Sequence, residues 1–199
     1  MKYFKIISVV LTFGALAFGQ VENSSHDLSS GGDVALSSND EDRICVFCHT
    51  PHNGGANVLW NRTNSVTGGD FAGLGNASLR CLSCHDGATA VNNLTANTNP
   101  SFALAMGDGS IIDDDGSGNP VLVGAGNLGT DLSNDHPVGI DYPLDADPKF
   151  NVGSTLSFAK LSNGKVECNS CHDPHDGNIG RFMIASNSGS ALCLDCHNK

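Results

Sequence analysis

Apolar residues along this chain fall in short, scattered pieces. The longest run, Ile6 to Phe18, lies at the very start. Later pieces are Val58-Leu59-Trp60, Phe102 to Met106 and Val121 to Val123, set in sequence rich in Asn, Ser, Asp and Gly. Residues 20–44 carry no apolar periodicity and read as an extended polar arm. Ala77 to Cys84 reads as a short helix ended by Gly87. Phe102–Met106 and Val121–Val123 flank an acidic Gly-containing stretch, Asp113 to Gly118, and predict a hairpin with a solvated tip. Asn53-Gly54-Gly55 is a turn, and 61–76 and 140–165 read as loop. The expected fold is mostly coil, with few short helices and minimal strand.

The first 19 residues are a separate unit. Lys2 and Lys5 make a basic start, and Ala17 and Gly19 are small residues suited to cleavage before Gln20 or Val21. Residues 1–19 are therefore expected to be a cleaved signal peptide. The alternative is an uncleaved anchor, but the run is short for a span and polar sequence follows at once. No cysteine stands at the cleavage site to take a lipid, and no stable membrane span is expected after cleavage. The net charge is −11, and removing the two lysines takes it to −13. Such a chain is a poor nucleic-acid binder, and no basic patch is present. Composition this poor in aromatics would not build a large core unaided.

The chemistry lies in the cysteines. All eight fall in four C-x-x-C-H motifs: Cys45, Cys48 and His49; Cys81, Cys84 and His85; Cys168, Cys171 and His172; Cys193, Cys196 and His197. C-x-x-C-H is the attachment signature of a c-type haem, the thiols adding to the vinyl groups and the His becoming the proximal iron ligand. Four haem c groups are expected, supplying the missing apolar mass. A zinc ribbon would need no His after every pair, and disulfides are unlikely from one repeated tight spacing. The Asp113–Gly118 stretch lacks the EF-hand spacing and closing Glu, so an acidic turn is preferred to a calcium loop. Trp60 is expected to pack on a porphyrin face.

Ligand arithmetic extends the reading. Of eight histidines, four are proximal, and His26, His52, His136 and His175 remain for four sixth positions. The count closes with bis-His coordination, and Met106 and Met183 are the competing ligands. A fully ligated iron offers no position to substrate, which argues for an electron-transfer protein and against an enzyme. His52 and His175 each follow a proximal His by three residues. The two axial ligands of one iron lie on opposite faces of the porphyrin, so His52 is expected to reach a neighbouring haem, in the same chain or another subunit.

The chain also repeats itself. C-V-F-C-H-T-P-H-N-G at 45–54 matches C-N-S-C-H-D-P-H-D-G at 168–177, and C-L-S-C-H at 81–85 matches C-L-D-C-H at 193–197. A lone His, 26 or 136, precedes each half. The predicted organisation is a duplicated two-haem module: 20–100 with the N-terminal arm, and 101–199 with a Gly/Asp-rich loop.

These motifs, with Ser-His-Asp-Leu-Ser-Ser at 25–30 and Asp-His-Pro-Val-Gly at 135–139, resemble the paired C-x-x-C-H multihaem c-type cytochromes. Over the whole mature chain the order is similar to the tetrahaem extracellular cytochromes that polymerise into nanowires. The resemblance implies four stacked haems and a head-to-tail homopolymer in which one axial His crosses between subunits. His52 is the candidate for that crossing ligand and His26 the second choice. It further implies an exported, extracellular or cell-surface protein passing electrons from redox donor cytochromes to extracellular acceptors. The alternative is a soluble periplasmic tetrahaem shuttle, similar in role to cytochrome c3, with all ligands in one chain.

Overall fold

The computed structural model describes residues 20–32, 36–54, 58–62, 73–95, 100–102, 112–143 and 147–199. The expected signal segment and Met106 lie outside them. Among the described residues no helix is long and apolar enough to cross a membrane. Most of the described residues are in turn and coil. Two α-helices, α1 (Asn76–His85) and α2 (Ala191–Cys196), are joined by short 3₁₀ turns and two small antiparallel pairs. Strands β1 (Ile112–Asp114) and β2 (Pro120–Leu122) pair Ile112 with Leu122, and β3 (Ile140–Asp141) and β4 (Lys165–Val166) pair Ile140 with Val166.

Helix α1 ends where expected, at Asp86 and a left-handed Gly87 (φ +69°), the usual residue for that backbone. Its N-terminus has no cap of its own. Glu167, far along the chain and 1% exposed, supplies one: its carboxylate accepts from Gly75 N at 2.8 Å and from the Ser78 hydroxyl. A negative charge there also suits the helix dipole.

The hairpin exists with shifted arms. β2 begins at Pro120, and β1 is Ile112–Asp114, not Phe102–Met106; Phe102 instead bridges to Ser38, and 103–106 lie outside the described residues. Its tip is the expected acidic turn, with Asp115 accepting from Ser117 N (2.8 Å) and Asn119 Nδ2 (2.9 Å).

Two expectations are corrected. The 20–44 arm is not extended. The Asp27 carboxylate accepts from the Ser29 hydroxyl at 2.6 Å and folds the arm into successive turns, and Leu28 and Leu36 enter the core. The 140–165 region is not all loop, because β3 pairs with β4 at its end. The core gathers Leu28, Leu36, Phe47, Phe102, Ile112 and Leu122 around Val91, with Cys48 and Cys84 packed against it. Buried Arg62 ties it together, its guanidinium donating to the carbonyls of Phe47, Ala90 and Val91. In the second half, Tyr142 Oη contacts the carbonyls of Asn151 (2.8 Å) and Cys196 (3.1 Å), clasping the last motif.

Candidate haem-binding sites

Each C-x-x-C-H motif occupies one helical turn, which brings its His back over its first Cys. His49 N donates to Cys45 O at 2.7 Å, His172 N to Cys168 O at 3.1 Å, and His197 N to Cys193 O at 2.9 Å. The motifs at 45–49 and 168–172 sit on 3₁₀ turns, Ile44–Phe47 and Cys168–Ser170. Those at 81–85 and 193–197 sit on α1 and α2.

Three of the proximal imidazoles are held by backbone carbonyls. Nδ1 of His49 meets Val58 O at 2.6 Å, Nδ1 of His85 meets Gly126 O at 2.7 Å, and Nδ1 of His172 meets Arg181 O at 2.9 Å. A carbonyl only accepts, so Nδ1 carries the proton and Nε2 keeps its lone pair for a metal. None of these carbonyls was singled out in the sequence, because a backbone acceptor has no side-chain signature.

Two of these carbonyls come from the same unusual turn. Val58 and Leu59 have φ of 56° and 52°, and Arg181 and Phe182 have 61° and 56°. Left-handed backbone is uncommon for such residues, above all for a β-branched one. The surrounding ladder repeats bond for bond. Thr50 N donates to Leu59 O and Asn61 N to Cys48 O, while Asp173 N donates to Phe182 O and Ile184 N to Cys171 O. Trp60 and Met183, at matching places, bridge to His49 and His172. The Trp60 ring meets His49 edge-on at 5.9 Å.

Three of the four remaining histidines lie near proximal ones. Ring centres are 6.1 Å apart for His26 and His85, 6.1 Å for His49 and His175, and 6.4 Å for His136 and His197. A metal–imidazole bond is about 2 Å long, so each of these separations would leave room for one metal ion between the two rings. His26 is further packed on Phe182 (4.3 Å, 13° between planes), and burial lowers its pKa to about 4, so it stays neutral as a metal ligand must. His52 and His172 are exposed, and among the described residues neither faces an imidazole in this way. His52 borders a cavity of about 180 Å³ with Arg43, Pro51 and Asn61.

The thiols run in chain order. Cys48 lies near Cys84, Cys81 lies beside Cys168 with its thiol donating to Ala77 O at 3.6 Å, and Cys171 lies near Cys193 and Cys196. No group of three or more His, Cys, Asp or Glu among the described residues is arranged to hold a bare metal ion.

Residues 160–199 match the family described as the doubled CXXCH motif. The match points to covalently bound haem c and to the electron-transfer chemistry of multihaem cytochromes, and Cys168, Cys171, Cys193 and Cys196 are the candidate attachment residues within it. No curated protein matches the chain. The residues present fit the group: thiols at the right spacing, three proximal imidazoles with Nδ1 held by a carbonyl, and three imidazole pairs. A haem held there would supply a one-electron iron couple. The thiols of each motif would take its thioether links, and the imidazoles would ligate its iron.

Proposed function

We propose that this chain is an exported tetrahaem c-type cytochrome, built from a duplicated two-haem module, that carries electrons along a head-to-tail filament to extracellular acceptors. All four motifs take haem, and all eight histidines ligate iron. The pairs are His85 with His26, His49 with His175, and His197 with His136. The single observation that carries the filament is what remains: among the described residues His172 and His52 are both exposed, and neither is in a facing imidazole pair like the other three. Ligation of the His172 iron by His52 of another copy closes the count. That supports His52, not His26, as the crossing ligand, since His26 is already committed to His85.

With two ligands on every iron no position is left for substrate, and the protein acts as a carrier and not a catalyst. Neighbouring thiols in chain order support a continuous series of haems, the arrangement electron hopping requires.

His52→Met tests this. The haem-loaded wild type is expected to form filaments with every haem low-spin. The variant is expected to remain monomeric, with one haem in four changed in spin state or ligand-field band by magnetic circular dichroism. A monomeric wild type with four low-spin haems would refute the filament and favour the soluble shuttle.

A further inference from the structure

Where the two halves of the chain meet, α1 lies on the Cys168–Ser170 turn. Cys168 N donates to Ser78 Oγ at 3.0 Å, the Cys81 thiol lies beside that of Cys168, and Ser78 and Leu82 are 0% and 1% exposed. Aligning the motifs gives the counterparts of Ser78, Cys81 and Leu82 as Ser190, just before α2, and Cys193 and Leu194 on it. All three are open to solvent, Leu194 at 43%. The counterpart of Cys168 is Cys45. Of the eight cysteines, Cys45 and Cys193 are the exposed ones.

The histidines repeat this asymmetry. His175 of the second half faces His49 of the first. Carried forward one half, that relation puts His52 of a following copy opposite His172. Likewise His26 of the first half packs on Phe182 of the second. The counterparts are His136, which is exposed, and Leu59, 51% exposed on its left-handed turn. Each half thus has one completed junction inside the chain and one matching half-junction at the surface.

We propose that a second copy of this chain docks by repeating the contact between its own halves. Helix α2 of one copy takes the Ile44–Phe47 turn of the next as α1 takes the Cys168–Ser170 turn, and Leu59 of the next copy covers His136. This rests on the filament reading and specifies its interface. The two patches differ and lie at opposite ends of the repeat, so the contact is heterologous and does not close. The series of attachment sites continues from Cys193 of one copy to Cys45 of the next.

The test uses haem-loaded full-length chains with Leu194→Lys or Leu59→Lys, all haem ligands intact. Each variant alone is expected to lose filaments and stay monomeric, with four haems per chain. Each keeps one sound patch, so an equimolar mixture is expected to give a dimer and nothing longer. Filaments from either variant alone, with wild type also polymerising, would overturn this interface and leave the filament reading standing. Variants that are both monomeric yet give no dimer when mixed would also overturn it. A benzophenone amino acid at position 194 of assembled wild-type-like chains is expected to cross-link to residues 42–47 of another copy; adducts elsewhere count against the junction. A wild type that never assembles would overturn both readings.

Discussion

Glu167 offers a quantitative test of how the halves are held together. Its carboxylate is 1% exposed and accepts from Gly75 N and from the Ser78 hydroxyl at the start of α1. A hydrogen bond to a charged group contributes about 1.5–3 kcal/mol. Glu167→Ala removes two such bonds and leaves the Ser78 hydroxyl buried and Gly75 N half-buried, so the expected loss is about 3–5 kcal/mol, against a total of about 5–15 kcal/mol for a domain. Glu167→Gln keeps the shape and can still accept from Gly75 N. Its amide forces the Ser78 proton elsewhere, for a loss of about 1–2 kcal/mol. Guanidinium unfolding of the haem-loaded protein, followed by Soret absorption and extrapolated linearly, measures both. Gly75→Ala adds a check, since a Cβ there would sit 2.6 Å from Glu167 Oε1. That clash disappears in the Glu167→Ala background, so the double variant should lose less than the sum of the singles. An alanine variant within about 1 kcal/mol of wild type, or strict additivity with Gly75→Ala, would refute the reasoning.

Three other outcomes are expected. The imidazole planes are 15° apart for His49 and His175 but 70° and 69° apart for His26–His85 and His136–His197; low-temperature electron paramagnetic resonance of the oxidised protein should show one rhombic and two highly anisotropic low-spin signals, and a spectrum without the anisotropic pair contradicts the assigned ligands. Gly87→Ala places a Cβ 2.1 Å from Asn127 Oδ1 at a φ of +69°, next to the Gly126 carbonyl that holds His85. The haem at Cys81 and Cys84 should then shift to higher potential in a redox titration as its imidazole loses that hydrogen bond, the other haems staying in place. Asp40 is held below the usual carboxylate range by the Ser101 backbone N–H first, and Glu41 by the Arg43 guanidinium first. A depressed pKa in the folded state gives stability that is full above about pH 4–5, the ordinary carboxylate range, and lost as pH falls below it. Asp40→Asn should flatten that acid limb in pH-dependent denaturation; an unchanged limb would rule out the Asp40–Ser101 clip as its source.

The doubled C-x-x-C-H motif was legible because it is written in contiguous spacing: Cys168, Cys171 and His172 need no tertiary fold to be picked out as candidates. The scarcity of regular structure was legible too, since no apolar pattern lasts long enough to pay for longer elements. What sequence could not reveal depends on distant meetings. His49 and His175 stand far apart along the chain, and only the folded backbone decides that they, and not His49 and His26, face one another. Glu167 reads as an ordinary acid until α1 arrives above it. Leu28 and Leu36 are isolated apolar residues in a polar arm, and their burial follows from the Asp27 turn that no periodicity announces. The carbonyls of Val58 and Arg181 were hidden for another reason: the repeat between the halves extends past Gly54 and Gly177 in backbone conformation more than in residue type.

The burial of the thiols carries a consequence for how the molecule is made. As a free thiol Cys48 is pushed up to about 12 by burial, and Cys84 is raised for the same reason. A thiol is nucleophilic as its thiolate, so in the closed chain these two half-buried thiols are poor nucleophiles. If the first half takes haem, as proposed above, an open chain would load it faster than a closed one, and a chain that closed early would mature slowly.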